Sequence, residues 1–581
     1  MPEKTLTKKL LDFLEKDRFT LTTALIYVFI IAGIRSFFEA HVGEYHGYGR
    51  YLFTQHVLLS FPELLMAALV IYIVTKRSPK KIMNVFLLGW GLLLIPPFFD
   101  YLIYGARSVE LGHQYEYFSV HEIIPALVNS WNPIYIFNLG SRGQGVMFLS
   151  LMIGTASYIA LITRFHQKLL SLFKDKVLAK DLLKRILQII AGYFGIYLVV
   201  WFIGSFKYII RMGEEHYIVL NRFTIPFYSK YYVFFKEYGY PTELIFPEDE
   251  GLLGLPMNLI TNQNRLIYSS FFIILTIITL FILLYLSERE KLRALFTALP
   301  KRNMVLSSLS AFIGITSIHM VDPDFSKGFA IDPTYLLHMP YVFFSILTVI
   351  LLVLFCFFMY HYFSWKRGSG SRLDENFSKY HYFHLSASCA LSALYFSMVL
   401  GYISFALSLV WISFSIFVFS KERNVFRKDL KLVIFGLLSF LHGFYTPNAW
   451  RSYIVDRYGE VEVRAEVVAR RPPMNWEIFL ILIWITVSFW VIARISGVDW
   501  EEIDIFSSRN ESRNQYIISV LTFFLLLFPL IYFRSLFGVL IYIGPAIATP
   551  IWYKILKRFE IISIGFILQL VLFSLGFLYF Y

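Results

Sequence analysis

Four carboxylates fall within six residues in the last fifth of the chain: Asp499, Glu501, Glu502 and Asp504. On a helix this spacing puts Asp499 and Glu502 on one face and Glu501 and Asp504 on the adjacent one. Hard oxygen donors grouped this way suit Mg2+, which keeps several waters and needs only one or two carboxylates. Asp499, Glu502 and Asp504 are therefore the candidate Mg2+ ligands. The competing reading is a solvated acidic turn at a membrane interface. A complementary set of cations lies in two other segments: Arg367 and Arg372 beside Lys366, and Arg423 and Arg427 beside Lys421 and Lys428. Guanidinium forks fit oxyanions in bidentate fashion. The same residues also serve as simple anchors to lipid headgroups.

Other residue types carry weaker signals. His41, His46, His113, His121 and Glu122 suit zinc or copper by type, but no pair has the spacing of a metalloprotease helix. Arg35 and Glu39 stand four residues apart and read as a helix-end ion pair. Asp322, Asp324 and Asp332 sit in Asp-Pro turns, where a cation site competes with ordinary turn chemistry. His361, near the end of an apolar run, reads as a packed or interfacial histidine. The two cysteines, Cys356 and Cys389, lie inside apolar runs and read as packing residues, with neither a disulfide framework nor a thiolate metal site.

The elements that must position these residues are membrane helices. The chain has 581 residues, 57% hydrophobic and 16% charged, with a mean hydropathy of +0.60. A soluble domain carries roughly 25% charged residues; here too few are left to cover a water-facing surface. Apolar runs long enough for a bilayer core of about 30 Å recur at 21–38, 53–75, 82–104, 144–163, 187–210, 266–286, 303–320, 340–363, 384–400, 402–420, 432–446, 475–494, 515–533, 536–552 and 561–580. The expected fold is all-α and polytopic, with about 15 transmembrane helices. Pro96 and Pro97 predict a kink or break in the third.

Loop charge orients this array. With the N-terminus cytoplasmic and the segments alternating, 36 of the 53 lysines and arginines fall on the inner side, and the bias persists to the C-terminus. The C-terminus is then expected outside. This placement also accounts for the net charge of +13 without nucleic acid, for which no binding motif is present. The first 18 residues are Lys-rich and amphipathic. The run 21–38 has no small-residue cleavage site and reads as a membrane helix, not a signal peptide. The segments 105–143 and 212–263 are rich in Tyr, Phe and Pro and read as interfacial folds. A boundary near 287–302 divides a six-helix membrane domain of unknown type (1–290) from a nine-helix one (303–581).

The order of features after residue 340 carries a resemblance. An apolar helix ends in Phe358-Met-Tyr-His-Tyr-Phe-Ser-Trp365. A basic, Gly/Ser-rich segment follows, then two helices joined at Gly401, a basic exit, a helix ending in His442-Gly443, and far downstream the acidic cluster at 499–504. This resembles the UbiA-type family of intramembrane prenyltransferases over residues 303–581, in helix number, spacing and loop chemistry. The resemblance implies a nine-helix bundle, a prenyl diphosphate as the partner besides membrane lipids, Mg2+ at Asp499, Glu502 and Asp504, and diphosphate contacts from Arg367, Arg372, Arg423 and Arg427. In that family two acidic motifs on facing helices clamp the metal and diphosphate. Here the first is missing: residues 360–365 contain no carboxylate, and Asp374 and Glu375 fall about ten residues further on. The expectation is a protein that handles an isoprenoid or other lipid, either a divergent prenyltransferase or one that has lost catalysis. Two alternatives stand beside it. One is a non-enzymatic lipid or solute transporter or assembly factor. The other is a polyprenyl-phosphate-dependent glycosyltransferase with Glu39 or Glu44 as its outer-loop acid.

Overall fold

The computed structural model describes residues 2–41, 49–104, 142–163, 183–192, 257–317, 335–366, 377–420, 428–446 and 479–487, with a few isolated positions beyond. Among them every regular element is helical and none is a strand. In chain order we number α1 Pro2–Leu14, α2 Leu21–His41, α3 Gly49–Thr75, α4 Pro79–Trp90, α5 Ile95–Tyr104, α6 Arg142–Thr163, α7 Met257–Ser287, α8 Arg289–Ala298, α9 Lys301–Ser317, α10 Tyr335–Lys366, α11 Lys379–Leu400, α12 Tyr402–Ser420 and α13 Lys428–Tyr445. Among the described residues five helical stretches are long and apolar enough to cross a membrane: Leu21–Phe38, Pro79–Phe99, Val342–Lys366, Lys379–Leu400 and Ile403–Ser420. Shorter apolar helices run at Leu64–Thr75, Ile153–Ile162, Phe272–Ser287, Asn303–Ile315 and Val433–Tyr445. Large apolar side chains such as Ile30, Ile73, Ile153 and Val410 stay exposed on these helices. Lipid is the solvent that such surfaces require.

The chain divides into two compact units, and the boundary falls inside α8 between Leu292 and Arg293. In the first unit, α3, α4 and α6 share a core of Ala68, Ile71, Ile82 and Tyr158. Helix α2 joins it through Trp90, whose indole donates to the Val28 carbonyl at 3.2 Å. The expected single helix over 82–104 comes in three pieces: α4, a 3-10 turn at Gly91–Leu94, and α5. Pro96 and Pro97 lack the N–H groups that would reach back to the carbonyls of the preceding turn. The backbone tightens into the 3-10 turn just ahead of them.

The second unit is organised around the 32-residue α10. Helix α11 runs antiparallel beside it: Phe344 meets Phe396 at 5.7 Å near one end and Tyr362 meets Phe383 at 5.7 Å near the other. The start of α11 is fixed by a capping box between Ser378 and His381, and its end by Gly401, whose φ of 112° lets the chain turn directly into α12. Helix α12 runs parallel to α10, in register through Cys356, Trp411 and Ser415. Helices α9 and α13 cross in backbone contact. A methyl group on Gly443 would come within 2.6 Å of the Ala311 carbonyl carbon, and one on Gly314 within 2.7 Å of the Phe444 nitrogen. Ser310 donates to the Gly436 carbonyl across this crossing at 2.8 Å. Small residues at such spacing are how membrane helices approach closely when no hydrophobic force separates them from lipid. The interior between α10, α12 and α13 is apolar, with Val349, Leu352, Val353, Phe355, Trp411 and Phe435 fully buried.

Candidate functional site

The end of the second unit where α10 finishes and α11 and α13 begin carries Lys366, Lys379, Lys428 and Lys431. The side chains there form one connected aromatic cluster. His361, buried, stacks on Tyr382 at 5.5 Å and meets the edge of Phe357 at 4.5 Å. Tyr360 touches His361 on one side (5.6 Å) and Phe419 of α12 on the other (5.9 Å). The ammonium of Lys431 lies 5.8 Å from the Phe419 ring centre, with that residue only 6% exposed. Lys379 covers Tyr362 and Trp365 at 5.5 and 5.9 Å. Ser364 is buried beside them in sequence. Each cation over a ring gains from the ring quadrupole, more where water is excluded. Chemically, this is an aromatic floor with amines on it, continuous with an apolar interior through the stack of Phe419 and Trp411 on Phe435. Such a surface suits a ligand with an anionic head and an apolar tail.

The candidate residues from the sequence, Arg367, Arg372, Arg423, Arg427, Asp499, Glu502 and Asp504, lie outside the described residues, as do His46, His113, His121, Glu122 and the Asp-Pro turns. Among the described residues no group of three or more His, Cys, Asp or Glu could hold a metal ion. The segments carrying the four arginines are bounded by Lys366 and Phe377 and by Ser420 and Lys428, which all belong to the basic end. Arg35 is fully buried in α2.

Two polar clusters were missed in reading the sequence. In the first unit the Glu15 carboxylate, with its side chain 3% exposed, accepts from both Arg77 Nε (2.6 Å) and Nη2, faces Lys81 Nζ at 3.5 Å, and receives the Tyr158 hydroxyl at 3.3 Å. The hydrogen bond that Arg77 donates to Glu15 raises the guanidinium above its ordinary range. Asp17 pairs with Lys80 next to it. In the second unit His442, fully buried, shares a hydrogen bond with Ser345 through Nδ1 (3.2 Å), and Thr446 donates to Ser345 at 2.9 Å. Its Nε2 has no hydrogen-bond partner among the described residues. Partners separated by 62, 143, 97 and 101 residues leave no local pattern; only a buried-type Glu at a helix end and a His inside an apolar run hint at them.

No protein-family model, curated protein or solved structure matches this chain.

Proposed function

We propose that the chain is a multi-pass membrane protein that binds an isoprenoid or other lipid bearing an anionic head, held at the basic end of the second unit. In this reading residues 303–581 make the nine-helix UbiA-like bundle within an array of about 15 membrane helices, with the N-terminus cytoplasmic. The observation that carries the proposal is the buried Lys431 over Phe419, joined through Tyr360 to His361 at the end of α10. A prenyl-type tail finds aromatic and aliphatic walls, and a phosphate head finds the amines of Lys379 and Lys431, with Arg367, Arg372, Arg423 and Arg427 as further contacts expected from the sequence. Ionisation of a diphosphate needs more. Charge growing on the leaving group must be clamped from two sides, and residues 360–365 contain no carboxylate to complement the sequence cluster at 499–504. Binding without prenyl transfer is therefore the stronger form of the reading, with Mg2+ held weakly by Asp499, Glu502 and Asp504.

The test is the purified chain in lipid nanodiscs with a labelled prenyl diphosphate and Mg2+. Saturable binding without turnover is expected, weakened about tenfold by Lys431→Ala, the equivalent of about 1.4 kcal/mol. Turnover that Asp499→Ala abolishes would establish the enzyme instead. Binding equal in wild type, Lys431→Ala and Asp499→Ala would sink the site.

One observation favours a second reading, transport of a small polar solute. The hydroxyls of Ser404 and Ser408, buried in α12, have no hydrogen-bond partner among the described residues, like Nε2 of His442. The register of α12 on α10 puts both serines level with residues 345–351, near the Ser345–His442 pair. Proton or glycerol flux through proteoliposomes, lost in His442→Phe, would support that reading over lipid binding.

A further inference from the structure

Helix α1 is too short to span a bilayer, yet its C-terminal end is fixed to membrane helices. Glu15, one residue past its end, is held by Arg77 in the turn between α3 and α4, by Lys81 in the first turn of α4 and by Tyr158 of α6. Four residues after Asp17, α2 enters its apolar span at Leu21. The helix is therefore confined to the level at which α2 begins. Its sides are chemically distinct. Leu11 and Leu14 are half-buried, on the side of Glu15. Leu10 and Phe13, spaced i, i+3, are 46% and 62% exposed. Lys8 and Asp12, also exposed, lie on the side opposite Leu10. The Arg18 guanidinium caps one face of the Phe13 ring at 4.3 Å and donates to the Phe13 carbonyl at 2.5 Å, an arrangement suited to headgroup depth, where an aromatic ring and a cation each find their medium.

Asp12 lies on the side opposite Leu10, and the charge nearer the exposed apolar side is positive. Glu15 and Asp17 are already engaged by Arg77, Lys81 and Lys80, while Lys9, Lys16 and Lys76 stand exposed beside them. We infer that α1 lies in the plane of the membrane with Leu10 and Phe13 immersed in an anionic leaflet, its lysines on the lipid phosphates and Glu15 locking it to the first unit. The partner is a bilayer surface rich in anionic phospholipid. An amphipathic helix with an apolar face and flanking lysines binds such a surface by both buried area and charge. This inference rests on the membrane reading of the chain and is independent of the ligand proposed for the second unit.

The experiment places a nitroxide at Leu10→Cys, Phe13→Cys, Lys8→Cys or Ile30→Cys in the full chain, in nanodiscs, with wild type as the control for Cys356 and Cys389. Relaxation by lipid-soluble oxygen is compared with relaxation by a water-soluble nickel chelate. Positions 10 and 13 are expected to favour oxygen severalfold and position 8 to favour nickel. Nanodiscs of phosphatidylcholine alone should make positions 10 and 13 shallower than nanodiscs containing phosphatidylglycerol, and Lys9→Glu/Lys16→Glu should remove that difference. Equal nickel access at 8 and 10, or no access of either reagent at 10, overturns the in-plane placement. Depth indifferent to lipid charge overturns the anionic partner. Position 30, exposed in mid-α2, separates the premises: if it too favours nickel, the membrane reading itself fails.

Discussion

Gly443→Ala should destabilise the second unit, although alanine is the better helix former. A Cβ at 443 would stand 2.6 Å from the Ala311 carbonyl carbon and closer still to its oxygen. Comfortable carbon contacts begin at about 3.5 Å, so the helices must part by about 1 Å. The obstacle is backbone, not a side chain that can rotate away. Parting costs about 1–3 kcal/mol as overpacking. It also stretches the bond from Ser310 to the Gly436 carbonyl, 2.8 Å in the native crossing, worth about 1 kcal/mol. Against this stands about 1 kcal/mol of helix propensity gained by replacing glycine. The net expectation is a loss of about 1–3 kcal/mol. Unfolding of the detergent-solubilised chain, followed by heat or by added SDS, measures it. Gly154→Ala and Gly89→Ala are the controls, since a methyl at either meets nothing within 4 Å. If Gly443→Ala is as stable as Gly154→Ala, the close crossing of α9 and α13 is wrong.

Three further outcomes are expected. Arg77→Ala should cost more than Glu15→Ala: the first leaves a carboxylate whose side chain is 3% exposed with only Lys81 and the Tyr158 hydroxyl, at about 3 kcal/mol, whereas the second leaves a guanidinium 32% exposed that still reaches water, at about 1 kcal/mol; equal losses in thermal unfolding would refute the asymmetry. Ser345→Ala removes the hydrogen-bond partner of His442 Nδ1 and should destabilise the fold by about 1–3 kcal/mol, with Ser345→Thr milder; no change in unfolding would mean that the cluster is not formed. Gly401→Ala places a Cβ at φ 112° and should lower stability by about 1–3 kcal/mol, read as a lower melting temperature.

The sequence reached furthest where apolar length alone decides. The run 402–420, bounded by Gly401 and by the lysine after Ser420, coincides with α12. It reached less far where backbone chemistry or amphipathicity decides. Pro96 and Pro97 announce a break in 82–104, but the 3-10 turn lies ahead of them because their missing donors are felt one turn earlier. Helix α10 extends past its apolar core at both ends, through Tyr335 and through Trp365 to Lys366, since aromatic and basic residues favour the interface and lower the hydropathy there. Helix α8 lies within a stretch, 287–302, that reads as a basic loop. Its polar residues are helix formers, and Ala294, Leu295 and Ala298 pack on Phe357 and Phe358. A loop reading weighs the lysines and misses the apolar stripe.

For the site, the sequence candidates lie outside the described residues, and what the end of α10 is made of was not legible. His361 read as a packing residue, and it does pack, between Phe357 and Tyr382. Lys431 is not singled out by the sequence, yet it is 6% exposed, while Lys379 on the same end is half-buried and Lys366 exposed. Lys431 is held inward on the Phe419 ring, which composition could not show. The reason lies in the neighbours. Phe419 comes from α12, and Tyr360, on the other side of that ring, comes from α10, 12 and 71 residues from Lys431 in sequence. Charge patterning along the chain sees a basic segment. Only the packing of three helices turns one of its lysines inward, and that inward amine is what makes a lipid with an anionic head the first ligand to test.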